Sequence, residues 1–173
     1  MVAVFMIGAV VEVTGASGTC MFILMPYFAA LAATYPVLVL NRFGAGVGVY
    51  VPYVVIGFVP LYYYDWLQSG ALVGVWAVFV WSATGLVIGT SLDLVNRIMI
   101  QSGERTRAIV IGATMQAVTF VVMLVGLTYL YKPTSSMGGH LLFFNQKWLF
   151  TLPWMVLNGC FGGYTAYALR KRI

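Results

Sequence analysis

Apolar residues in this chain come in long runs rather than in alternation. Met1 to about Ser17, Met21 to Leu40, Phe43 to Tyr63, Gly70 to about Leu92, Ala108 to Tyr131 and Trp148 to Leu169 form six such stretches, the first of them the shortest. A helix crosses a hydrocarbon core with about 20 apolar residues. A transmembrane barrel strand would instead alternate apolar and polar positions, and these runs do not. The pattern predicts an all-α fold: a polytopic membrane helix bundle of about six transmembrane helices, forming one integral membrane domain over residues 1–173.

The polar interruptions are short, with two exceptions. "DLVNRIMIQSGERTR", Asp93 to Arg107, separates the fourth and fifth stretches. Within it Asp93 and Arg97 stand four apart, a spacing that lets them pair if the fourth helix runs on, and Ser102-Gly103 breaks the pattern before "ERTR". "KPTSSMGGHLLFFNQK", Lys132 to Lys147, is long for a bundle connection, and connections of that length are often functional.

Composition agrees with lipid as the main solvent. The chain is 62% hydrophobic and 8% charged, against about a quarter charged in soluble domains, and its mean hydropathy is +0.96. With the N-terminus inside, the inner segments carry Arg42, Arg97, Arg105, Arg107, Arg170, Lys171 and Arg172, and the outer ones only Lys132 and Lys147. Seven against two places both termini in the cytoplasm and the chain in the cell membrane as a multi-pass protein. That distribution accounts for the net charge of +5 without a nucleic-acid partner. Met1 to Val13 lacks the basic start of a signal peptide, the first Lys or Arg being Arg42, so no removable signal is expected. Cys20 and Cys160 are isolated and make neither a disulfide framework nor a metal site.

Candidate chemistry gathers on the outer side. In "YYYDWLQ", Tyr62, Tyr63, Tyr64 and Trp66 suit the headgroup level, where a ring is apolar and its OH or NH is wet. Three consecutive helical tyrosines point about 100° apart, so at least one faces inward or into the loop, beside Asp65 and Gln68. Glu12 is the one carboxylate deep in the apolar runs. Two readings of it stand: a ligand or ion contact, or an interfacial residue just outside the hydrocarbon. Gln116 and Asn158 are polar but neutral, and either can hydrogen-bond between helices.

His140 has no partner at metal-ligand spacing. It shares the outer face with Lys132, Gln146 and Lys147. The expected substrate-binding set is therefore Glu12, Asp65, Trp66, Gln68, His140, Gln146, Lys147 and Asn158 around an outer pocket. No catalytic residue, cofactor or metal is expected. GxSxG, HExxH and GxxxxGK[ST] do not occur, and "GAGVG" at Gly44 to Gly48 has no preceding strand; the chain does not read as an enzyme.

Small residues recur four apart: Ala29 and Ala33, Gly44 and Gly48, Gly85 and Gly89, Gly159 and Gly163. Such pairs let helix backbones approach closely, either within the bundle or against another membrane subunit. Ala29, Ala33, Gly44, Gly48, Gly85 and Gly89 are the subunit-docking candidates.

The glycine-rich "RFGAGVGVYVPY", the charged inner "NRIMIQSGERTR", the long outer loop before the last stretch and the basic tail "RKRI" give a layout. It resembles the substrate-binding S components of energy-coupling-factor vitamin transporters. The resemblance covers nearly the whole chain as architecture. It implies a subunit that captures a vitamin or metal ion at its outer side, then docks through small-residue helix faces onto a membrane coupling subunit with two ATPases. The family's AxxxA pattern lies in its first span, whereas Ala29-xxx-Ala33 lies in the second stretch here. The histidine-led N-terminal signature of nickel and cobalt members is absent, which disfavours a metal substrate. No residue carries over as a vitamin contact.

The expected function is a solute-capture subunit of a multi-subunit transporter, binding a small vitamin-like solute. The alternative is a non-catalytic subunit of a larger membrane complex, such as an oxidoreductase or oxygenase assembly. A third reading, an ion-coupled carrier using Glu12, is weakened by the lack of inverted repeats.

The topology predicts a labelling pattern. In a background without Cys20 and Cys160, Asp65→Cys and His140→Cys should react with an impermeant thiol reagent from outside, and Arg105→Cys only after permeabilisation. Labelling of all three from one side would refute the arrangement.

Overall fold

The computed structural model describes residues 17–50, 73–125 and 148–172. Four long helices are described: α1 (Ser17–Leu40), α2 (Val73–Ile98), α3 (Glu104–Val125) and α4 (Trp148–Arg170). Residues 45–50 begin a further helix. Among the described residues there is no strand, so the fold is all-α, as the sequence predicts.

Each boundary has a local cause. α1 stops at Asn41, whose backbone turns left-handed (φ 44°) while its N–H still donates to the Val37 carbonyl at 3.0 Å. Asparagine tolerates that conformation better than other non-glycine residues. Gly44, at φ 95°, completes the turn into the next helix. α2 runs six residues past the expected end at Leu92, tightens into a 3₁₀ turn over Met99–Gln101, and stops where Ser102 goes extended. The break at Ser102-Gly103 lies where expected, and α3 restarts at Glu104, four residues before the apolar run. Much of the expected inner loop is therefore helical.

α3 and α4 are antiparallel and touch backbone to backbone. A Cβ added to Gly112 would overlap the Gly159 carbonyl oxygen, one added to Gly159 would overlap that of Gly112, and one added to Gly163 would overlap that of Ala108. Ala108 and Gly112 thus face Gly163 and Gly159, four residues apart on each helix. Close approach of this kind maximises dispersion contact between backbones. On the neighbouring face of α4, Gly162 admits α1: a Cβ there would lie 2.6 Å from the Tyr27 carbonyl oxygen and 2.9 Å from Leu31 N. Tyr27 O–H donates to Thr165 Oγ1 at 3.0 Å. The buried Gln116 Nε2 donates from α3 to the Pro26 carbonyl.

The docking candidates fall at different places in this packing. Ala33 is buried in the core and Ala29 packs against it. Gly85 is buried. Gly89 lets the helix at 45–50 approach, since a Cβ there would meet Val47 Cα at 2.6 Å. Gly44 and Gly48 are exposed with open space beside them.

The interior combines small apolar residues such as Ala30, Ala33, Ala108 and Ala166 with Leu38, Ile88, Leu92, Ile111 and Met115. Asp93, Asn96, Arg107, Gln116, Thr34, Thr84 and Thr151 are buried with them. Large apolar side chains stand outside, including Phe43, Ile98, Leu149, Phe150 and Phe161. Among the described residues one helical segment, Ala83–Gln101, is long and apolar enough to cross a membrane, and Pro26–Leu40 is a shorter apolar helix.

Gly163 and Gly48 offer a matched test of this packing. Gly163→Ala should lower the thermal midpoint of the purified protein, by the equivalent of about 1–3 kcal/mol for a small residue forced into a filled contact. Gly48→Ala should leave it unchanged or raise it, by up to about 1 kcal/mol for relieving helical glycine. A Gly163→Ala midpoint equal to the parent's would show that the α3–α4 contact is looser than described.

Candidate functional site

The helix starting at residue 45 lacks a local cap. Its first N–H groups have no partner within the helix, and "NRFGAG" puts Phe43 and Gly44 where Ser, Thr, Asp or Asn would ordinarily supply an acceptor. The acceptor comes from α2. Asp93 Oδ1 accepts from Gly46 N at 2.7 Å, and Oδ2 accepts from Gly44 N at 3.0 Å and Val47 N at 3.3 Å. Asp93 is 1% exposed. Its charge sits at the positive end of the helix dipole, and three backbone donors replace the water it has lost. Gly46 must lack a side chain here, because a Cβ would overlap the Gly89 carbonyl oxygen and stand 3.2 Å from Asp93 Oδ1.

The spacing of Asp93 and Arg97 allowed an ion pair if α2 continued. α2 does continue, but no such pair forms. Asp93 turns inward onto the three N–H groups, and Arg97 is exposed. An exposed i,i+4 pair contributes only a few tenths of a kcal/mol, whereas hydrogen bonds to a buried charge contribute about 1.5–3 kcal/mol each.

A second knot lies beside the first. Asn41 Oδ1 accepts from Arg107 NH1 at 3.1 Å and from Asn96 Nδ2 at 3.4 Å. Arg107 is 7% exposed. Its other guanidinium nitrogen NH2 lies 3.9 Å from Glu104 Oε1, and Glu104 also pairs with Arg170. These two knots join the end of α1, the start of the helix at 45, α2, α3 and the end of α4. Arg42, Arg97, Arg105, Arg107, Arg170, Lys171 and Arg172 are thereby collected at one end of the bundle. Asp93 and Asn41 are held as acceptors, so this cluster clamps the helix ends together.

Of the expected pocket, only Asn158 falls within the described residues. It is half-buried and its Nδ2 donates to the carbonyl of Trp154 in its own helix at 2.9 Å. Gln116 does bridge two helices. Glu12, Asp65, Trp66, Gln68, His140, Gln146 and Lys147 lie outside the described residues, as do Tyr62, Tyr63 and Tyr64. Among the described residues no group of three or more His, Cys, Asp or Glu could hold a metal, and Cys160 is a free, half-buried thiol. Sequence reasoning missed the roles of Asn41, Asn96 and Arg107. It also missed Asp93 as a cap, for which the signal available was the uncapped "RFGAG" and the single carboxylate of α2.

Compared with family models, curated proteins and solved structures, the chain matches none.

Asp93 is the residue on which this end should depend most. Asp93→Ala strands three donors and should cost about 3 kcal/mol or more. Asp93→Asn, which keeps one acceptor oxygen, should lie between the parent and Asp93→Ala. Thermal unfolding of the purified variants gives the order. Equal midpoints for the parent and Asp93→Ala would contradict the clamp.

Proposed function

We propose that the chain is a membrane-embedded solute-capture subunit of a multi-subunit transporter. In this reading it has about six spans and both termini in the cytoplasm, and it takes a small vitamin-like solute at its outer face. The observation that carries the reading is the set of large apolar side chains left outside a core that also holds polar groups. Asp93, Asn96, Arg107 and Gln116 are inside, while Phe43, Ile98, Leu149, Phe150 and Phe161 are outside at 64–79% exposure or, for Leu149, Phe43 and Ile98, within that range. Water would penalise so continuous an apolar exterior; hydrocarbon would not.

Helical polar groups follow the same logic. Ser91 Oγ, Thr119 Oγ1, Asn158 Nδ2 and Thr165 Oγ1 each donate to the carbonyl four residues earlier, which supplies a partner where the solvent offers none. The collected arginines mark the cytoplasmic end. Since Asp93 and Asn41 at that end are taken up by backbone and side-chain donors and Glu104 by two arginines, capture is assigned to the opposite end. There the sequence supplies Asp65, Trp66, Gln68, His140, Gln146 and Lys147.

The second reading, a non-catalytic subunit of a larger membrane complex, draws on α4. Phe150, Trp154, Leu157, Phe161 and Tyr164 are exposed at intervals of four, three, four and three residues. That is the spacing of a helix-packing seam. A seam of this kind also suits a coupling subunit, so it leaves the first reading in place.

Titration of the purified protein with a panel of vitamins should give a saturable change in tryptophan fluorescence for one of them, diminished in Trp66→Phe. Silence across the panel, together with co-purification of redox subunits rather than a coupling subunit and ATPases, would replace the first reading by the second.

A further inference from the structure

Two cations at the basic end are seated on aromatic rings rather than on carboxylates. Arg105, in the first turn of α3, has its guanidinium carbon 5.1 Å from the ring centroid of Tyr164. Lys171, just past α4, has Nζ 5.1 Å from the ring centroid of Tyr167. The two rings are neighbours on α4, their centroids 6.4 Å apart and their planes inclined by 42°. Arg105 and Lys171 are both exposed. Glu104, the nearest acidic residue in sequence, is engaged by Arg170 and Arg107. Among the described residues neither Arg105 nor Lys171 has a carboxylate partner.

The charge is thus gathered and only partly compensated. Arg105 and Arg107 in the first turn of α3 stand by Arg170, Lys171 and Arg172 at the end of α4, and Glu104 pairs with Arg107 and Arg170. Like charges repel, and an anion shared by Arg105 and Lys171, which sit on the neighbouring rings of Tyr164 and Tyr167, would relieve the repulsion. Tyrosine rings beneath the two cations orient them without neutralising them. We propose that this seam binds the headgroup of an anionic phospholipid, its phosphodiester held between Arg105 and Lys171.

A phospholipid fits better than a soluble phosphate because the surface continues as hydrocarbon. Moving along α4 from Tyr164 towards the bundle's middle, Phe161 (64% exposed) and Leu157 (53% exposed) follow on the same face. An acyl chain descending from a headgroup at Tyr164 would lie along them. Basic pockets between helices on the cytoplasmic side are suited to anionic headgroups, and the inner leaflet supplies them. The inference rests on the orientation in the preceding section, not on capture of a solute.

The test uses the whole protein in a non-ionic detergent, titrated with dioleoyl phosphatidylglycerol or dioleoyl phosphatidylcholine. Bound lipid is counted by native mass spectrometry, and the thermal midpoint is followed in parallel. Phosphatidylglycerol should bind roughly tenfold or more tightly than phosphatidylcholine. Arg105→Gln/Lys171→Gln should abolish the preference, while Arg42→Gln/Arg97→Gln, with the same loss of charge, should keep it. Tyr164→Leu, which retains every charge, should weaken it, and carries the comparison if the first double variant does not fold. No preference in the parent protein would overturn the proposal. So would equal losses in the two double variants, which would mean diffuse charge attraction. A midpoint shift with inorganic phosphate equal to that with phosphatidylglycerol would assign the seam to a soluble anion instead. Silence in the vitamin titration with the lipid preference intact would remove solute capture alone.

Discussion

A carboxylate placed against the start of another helix organises the described part of this protein. The helix at 45–50 begins without a capping side chain of its own, and Asp93 of α2 supplies one across a sequence separation of 46 to 49 residues. Neither partner is comfortable alone. A buried, unpaired carboxylate is costly, and so is a buried backbone N–H, such as that of Gly46, left without an acceptor. Their union removes both costs and fixes the depth of α2 relative to its neighbour. The approach needed is close enough that Gly46 and Gly89 must be glycine. The clamp and the small-residue packing are therefore one design.

Around that clamp, adhesion comes from contact area and from polar groups satisfied in place. Helices with small residues at their interface cohere by approaching closely. Ala108, Gly112, Gly159 and Gly163 do this between α3 and α4, and Gly162 does it between α4 and α1. Gln116 and Tyr27 add bonds across those seams. Leu38, Ile88, Leu92, Ile111 and Met115 fill the interior between these contacts, while other bulky residues, such as Phe150 and Phe161, stand outside.

Helix type and most helix limits were legible in the chain, because long apolar runs leave few alternatives. α1 ends at Leu40 and α4 begins at Trp148 as expected, and the Ser102-Gly103 break falls where two poor helix residues stand together. The ends that differed were polar. "DLVNRI" remains helical because Asp93 and Asn96 are buried on one face, and hydropathy scores them as loop. The Asp93–Arg97 expectation failed for a related reason: spacing along one helix says nothing about a competing partner contributed by another. Asn158 shows the same limit on a smaller scale, since its amide bonds to its own backbone. Gln116, read as a bond between helices, is one.

The α3–α4 contact has a mechanical corollary. With main chain lying directly on main chain, there is no compressible layer of side chains between the two rods. Sliding by even one residue would drive Ala108 or a neighbour into a carbonyl oxygen. Close main-chain contact at Ala108, Gly112, Gly159 and Gly163 leaves the pair little room to slide. Any displacement of α2 relative to it must be absorbed at the Ser102-Gly103 link, where the chain is extended and Gly103 has open space beside it.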